Sequence, residues 1–139
     1  MTVSPFLVDK SALEQRRHSD VARSLLAELA TEGLLATCEV VALEVLYSAR
    51  NLRDYEALSA SLRAQRWLPV TAEATSRALE VQHALARRGQ HRLPIPDLLI
   101  AATAEVNEAM VLHYDHDFDR IAAVTGQQTR WVVPPGTAG

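Results

Sequence analysis

Asp9, Glu44, Asp97, Asp115 and Asp117 are the residues whose types and surroundings carry chemistry in this chain. Asp9 ends the apolar run Pro5-Phe6-Leu7-Val8, and Glu44 sits inside an apolar helical stretch. Asp97 follows Pro96 at a helix start. Asp115 follows the run Met110-Val111-Leu112-His113-Tyr114, and Asp117 comes two residues later. Each acid has an ordinary explanation on its own. Asp9 suits a turn or a cap, and Glu44 suits a solvated helix face. Asp97 suits a helix N-terminus, where the dipole favours an acid. Asp115, Asp117 and Asp119 suit a polar turn. Together they put acids at two strand ends, in a buried helix and at a helix start. Convergent like charges raise one another's pKa values unless cations neutralise them. Ligation by oxygen alone suits Mg²⁺ or Mn²⁺ and not Zn²⁺. The chemistry indicated is phosphoryl chemistry at a hard-metal centre, with a metal-activated water as nucleophile.

Elements must hold those acids in place. Residues 5–8 read as a buried strand. Ala22, Leu25, Leu26 and Leu29 line one face of a helix near 20–32, stopped by Gly33. Residues 34–37 read as a short strand. A helix near 39–51 carries Ala42, Val45, Leu46 and Ala49 on one face. Val40, Val41, Leu43 and Tyr47 make its first half apolar nearly all round, which predicts deep burial. Further helices are expected over 53–64 and 74–88, with a strand at 67–70 between them that Pro69 assigns to an edge. Residues 90–96 read as a loop. Asp97 opens a helix running from Leu98 to Glu108, a strand follows over 110–114, a helix over 118–124 and a strand over 130–133. Strands alternating with helices predict an α/β fold with a central parallel sheet. Such sheets bind ligands beyond the carboxyl ends of their strands, where Asp9 and Asp115 stand. A single domain is expected over residues 1–134, with a flexible tail over 135–139.

Composition bounds the alternatives. At 139 residues, 48% apolar and 22% charged, the chain suits one globular domain and not a disordered one. It has no apolar run long enough to span a bilayer and no secretory signal pattern, so a cytoplasmic location is expected. Cys38 is the one cysteine, which excludes an internal disulfide or a Cys-rich zinc site. The 14 basic and 17 acidic residues give a net charge of −3. Without the five acids named above, 12 acidic residues face 14 basic ones, so the remainder is mildly basic. A basic rim around a metal-neutralised cleft can hold a nucleic-acid backbone. Lys10 is the one Lys among those bases, and the rest are Arg, which grips phosphate with a planar fork but also follows from GC-rich codons.

LVDKSAL at 7–13, ALEVLYSAR at 42–50, IPDLLIAATA at 95–104 and VLHYDHDFDRIA at 111–122 resemble the PIN-domain family, and more narrowly the VapC toxins of VapBC toxin–antitoxin systems. The four blocks occur in the family's order, and the likeness runs from Phe6 to Val133. It implies a PIN-like three-layer α/β/α fold. It implies a Mg²⁺- or Mn²⁺-dependent endoribonuclease that cleaves cellular RNA, restrained by a cognate VapB-like antitoxin and assembled as a homodimer. The resemblance maps catalytic acids onto Asp9, Glu44, Asp97 and Asp115, with Asp117 as an additional acid. The metal ligands expected from this are Asp9, Asp97, Asp115 and Asp117. The antitoxin surface is expected to include the Tyr47 helix and the Arg50–Arg53 stretch. The sequence departs from the family at Lys10, where relatives carry Thr or Ser. Lys10 either contacts a substrate phosphate or points into solvent, and the second is preferred.

Ser11 is a helix N-cap candidate and, with Arg87, Arg88 and Arg92, a candidate substrate contact. The arginines equally suit a solvated helix end. His113 is expected in the strand core, His116 exposed, Cys38 buried, and Trp67 and Trp131 in the core. Two other functions compete. A phospho-receiver signalling domain shares the acidic Mg²⁺ pocket, but it requires a Lys late in the chain and none follows Lys10. A non-catalytic PIN scaffold binding RNA or protein is opposed by the complete acid set.

Overall fold

The computed structural model of the chain describes residues 3–137. Strands β1 (Phe6–Val8), β2 (Leu35–Thr37), β3 (Arg66–Trp67), β4 (Met110–His113) and β5 (Thr129–Trp131) form one parallel sheet in the order β3-β2-β1-β4-β5. Helices α1 (Lys10–Glu14), α2 (Asp20–Thr31), α3 (Glu39–Tyr47), α4 (Leu52–Arg63), α5 (Ala72–Ala86), α6 (Ile95–Val106) and α7 (His116–Thr125) connect them. The chain leaves β1 toward β2 on one side and returns on the other as β4. The sheet therefore reverses its winding between β1 and β4, where a ligand crevice opens.

The side-chain alternation of the central strands makes two cores. Leu7 pairs in register with Val111, and both pack with buried residues of α3 to α7. Val8 pairs with Leu112, and both pack with Ala12, Ala22, Leu26 and Leu29 of α1 and α2. Successive strand residues face opposite sides, so the three-layer α/β/α arrangement follows from these two pairs. No helix among the described residues is long and apolar enough to cross a membrane.

Several elements differ from expectation. The helix expected over 39–51 ends at Tyr47, and Asn51 caps α4 through its side chain. Nor is α3 buried all round. Val41, Ala42 and Val45 pack inward, while Leu43 is 68% and Tyr47 90% exposed. The helix lies on the outside of its layer, so one face suffices for burial. Ser11 is not a cap. It lies inside the short helix α1, whose N-cap is Asp9. Helix α6 starts at Ile95, ahead of Asp97, because Pro96 fits a first turn whose N–H groups have no intrahelical partner. β4 stops at His113, and α7 begins at His116. Trp67 is 44% exposed on the two-residue edge strand β3, and Trp131 is half-buried on β5, so neither is a core residue. In the expected tail, Gly136 N–H donates to Tyr114 Oη at 2.8 Å, and residues 138–139, like 1–2, lie outside the described residues.

Phe118 is fully buried and anchors α7 beside the two acids that begin it. Phe118→Ala is expected to destabilise the protein by about 3–5 kcal/mol in urea unfolding. A loss below about 1 kcal/mol would show that α7 is held in place by something else.

Candidate metal centre

The crevice is built from the ends of β1 and β4 and from the first turns of α6 and α7. Asp9 N–H donates to Leu112 O at 2.9 Å, which continues the pairing one residue past β1. Its side chain then turns to cap α1: Oδ2 accepts from Ser11 N at 3.0 Å and from Ser11 Oγ at 2.6 Å. Ser11 Oγ also accepts from Tyr114 N at 2.9 Å. The hydroxyl thus braces the end of β1 against the end of β4, and its one proton is directed at Asp9.

Asp115 plays the matching role after β4. It is the N-cap of α7, and its Oδ1 accepts from Asp117 N at 2.9 Å. Asp115 N–H donates to His113 Nδ1 at 3.2 Å, which leaves the His113 proton on Nε2 in the neutral ring. His113 is fully buried, and burial pulls its pKa down to about 4, so the ring is neutral near pH 7. Asp97 lies in the first turn of α6 and is 6% exposed.

Asp97, Asp115 and Asp117 each offer one carboxylate oxygen within 4.8 Å of the other two. All three belong to the expected metal ligands Asp9, Asp97, Asp115 and Asp117, while Asp9 and Glu44 of the expected catalytic set stand outside this tight group. Asp115 caps α7 and Asp117 lies in its first turn, which brings the two carboxylates together. Asp9 and Glu44 surround the trio, and their charges act on Asp97. Glu44 is half-buried; burial raises its pKa first, then the charge of Asp9, while Lys10 opposes the shift. Lys10 itself pairs with Glu14 at 3.5 Å.

Asp97 carries the largest perturbation. Burial, then the charges of Asp9, Asp115, Asp117 and Glu44, push its pKa up to about 8. Burial also raises Asp9 against the bonds from Ser11. Asp9 Oδ1 and Asp97 Oδ2 are buried with no hydrogen-bond partner. Buried acceptors without partners are rare and call for a missing donor or ion. Two such oxygens among crowded acids fit a hard divalent cation, which takes oxygen ligands and supplies the missing positive charge.

Arg87, Arg88 and Arg92 are exposed at the end of α5 and in the following loop, and none forms an ion pair with a site acid among the described residues. The basic group that does so is Arg120, whose Nη1 donates to Asp117 Oδ1 at 2.7 Å. Sequence reasoning missed it, although its i, i+3 spacing from Asp117 on a helix was the available signal. His113, Cys38 and His116 lie as expected, the first two buried and the third exposed.

The family model described as PIN domain matches residues 7–124. Ribonuclease VapC18 of Mycobacterium tuberculosis is 45% identical over 135 residues, spanning 95% of this chain and 98% of that relative. Ribonuclease VapC51 of the same organism is 45% identical over 132 residues, spanning 95% and 96%. Among solved structures, DNA-bound VapBC from Salmonella typhimurium matches with a TM-score of 0.75 at 14% identity, covering 94% of this chain and 100% of that one. VapBC2 from Rickettsia felis, bound to a promoter fragment, matches at 0.74 and 20% identity, covering 91% and 97%. At such identities these two structures carry the fold alone. The matched span includes Asp9, Glu44, Asp97, Asp115 and Asp117, and the chain belongs to the PIN-domain family, within its VapC group.

Proposed function

We propose that the chain is a divalent-metal-dependent endoribonuclease and the toxin of a toxin–antitoxin pair. The observation that carries the metal dependence is the pair of buried, unpartnered oxygens on Asp9 and Asp97 beside the Asp97–Asp115–Asp117 trio. The names of its ribonuclease relatives support the substrate class. Asp9, Asp97, Asp115 and Asp117 would hold the ion, Mg²⁺ or Mn²⁺. When bound, the ion supplies a Lewis acid for phosphate oxygens and lowers the pKa of a water. The chain's own part is placement. Ser11 fixes Asp9, the cap of α7 fixes Asp115, and the first turn of α6 fixes Asp97. Glu44, with its raised pKa, stands at the edge of the cluster as an acid able to exchange a proton. A cognate antitoxin and a homodimer belong to the same proposal. Leu43, Tyr47, Leu52 and Tyr55 are exposed on α3 and α4, and an apolar surface of this kind supports a partner covering it.

Purified protein without its partner is expected to cut RNA in Mg²⁺ or Mn²⁺ and to stop in chelator. Asp97→Asn, which keeps the shape, should lower the rate about 100-fold or more in a gel assay of total RNA. Full activity in chelator, or in Asp97→Asn, would contradict the mechanism. Asn also caps helices well, so Asp115→Asn should fold. By calorimetry it should lose more Mn²⁺ affinity than Asp117→Asn, whose carboxylate sits on a partly exposed turn. The reverse order would exchange their roles.

Asp97 also sets a pH dependence. Unfolded, it titrates at the ordinary carboxylate value; folded, at about 8. Between these values the folded chain holds a proton that the unfolded chain lacks. Metal-free stability therefore falls as pH rises through that window. Thermal melts in chelator should show this slope, and Asp97→Asn should flatten it. Superimposable profiles would remove the case for a buried, repelled Asp97.

Expression of the chain alone should arrest growth, and co-expression of its antitoxin should restore it. Tyr47→Arg is expected to keep RNA cleavage but weaken the rescue. Harmless expression of active protein would count against the toxin reading.

A further inference from the structure

The first turn of α7, which carries Asp117, also presents a second set of groups. His116, its first residue, has a side chain 67% exposed. Its ring meets that of Trp131 at 67°, with centroids 4.8 Å apart. Asp119 ties the two rings together. Its Oδ1 accepts from Trp131 Nε1 at 3.2 Å, and its Oδ2 lies 3.3 Å from His116 Nδ1. Trp131 is backed in turn by His113 at 4.9 Å and by the edge-on Tyr114 at 5.4 Å. The two rings thus form a corner, braced on its inner side, with the His116 side open to solvent.

Arg120 lies four residues after His116, on the same side of the helix. It reaches Asp117 through Nη1, its side chain is 47% exposed, and a guanidinium has five N–H donors. An exposed i, i+3 ion pair contributes little to stability. Arg120 can therefore exchange Asp117 for a stronger phosphate partner without cost to the fold. The acid trio repels an approaching phosphate, so a fixed cation at its rim decides where that phosphate enters.

We propose that this turn seats one nucleotide of the substrate: the base stacks in the His116–Trp131 corner, and Arg120 holds its phosphate beside the acid trio. The inference rests on the ribonuclease reading above and adds to it the residues that hold the RNA. Single-stranded nucleic acid is held in this way, by stacking on aromatic rings together with cationic contacts to the backbone. Stacking of this kind tolerates any base, because every base has a π-face.

The test uses adenosine 5′-monophosphate, which has no phosphodiester bond to cut. In a Trp67→Phe background Trp131 is the one tryptophan, and Trp67 lies on β3 at the opposite edge of the sheet. The mononucleotide is titrated in Mg²⁺ while Trp131 emission is followed, with adenosine and inorganic phosphate as separate probes. Saturable quenching is expected. His116→Ala should weaken binding about tenfold, and His116→Phe should restore it. Arg120→Ala should weaken the mononucleotide and leave adenosine unchanged. No quenching, or a loss in only one of the two Ala variants, overturns the joint seat. RNA cleavage by wild-type protein, run alongside, tests the parent reading separately. Cleavage without a mononucleotide seat overturns this inference alone. A seat without cleavage overturns the ribonuclease reading and supports the seat.

Discussion

Negative charge is crowded into a crevice where water cannot fully screen it, and the surrounding structure exists to keep it there. Burial first, and then the charges of four other carboxylates, push the pKa of Asp97 up to about 8. Left free, such groups would turn outward or take up protons. They are held by the junction of β1 and β4, the brace from Ser11 to Tyr114, and the first turns of two helices. Phe118 and Ile121 fix α7 from beneath, within the same core that Leu7 and Val111 enter from the sheet.

Capping and ligation are compatible uses of one carboxylate. Asp9 caps α1 with Oδ2 and keeps Oδ1 buried and unpartnered. Asp115 caps α7 with Oδ1, and the cap leaves its second oxygen free to ligate. In each case the cap fixes the side-chain rotamer through one oxygen while the other is aimed by the same geometry. The ordinary explanation of these acids, a turn or cap, is thereby part of how a metal centre would be built. It also explains why Asn is the informative replacement: it preserves the cap and removes the charge.

The strands, their parallel sense and the acids at their ends were legible because buried parallel strands are short apolar runs and end abruptly at polar residues. The pairing of Leu7 with Val111 and the division into two cores came only with the strand order, which a series of apolar runs leaves open. Other features depended on tertiary placement. Tyr47 lies in a helix apolar nearly all round, yet it is exposed, since the sequence does not say how many sides of a helix have neighbours. Helix α1 spans five residues, too few to show a period. How tightly Asp115 and Asp117 approach Asp97 depends on β4 ending at His113 and α7 beginning at His116, boundaries that the sequence pattern leaves loose. The pairing of Arg120 with Asp117 depends on the second boundary, because the helix must begin early enough to include Asp117.

If the crevice takes up a cation, that cation competes with the proton that Asp97 retains. Calorimetry of Mn²⁺ binding near pH 7, repeated in buffers of different ionisation enthalpy, counts protons released with the ion. Binding is expected to release about one proton in the wild-type protein and close to none in Asp97→Asn. Tight binding with no proton released, or no Mn²⁺ binding by the folded wild-type chain, would contradict the account.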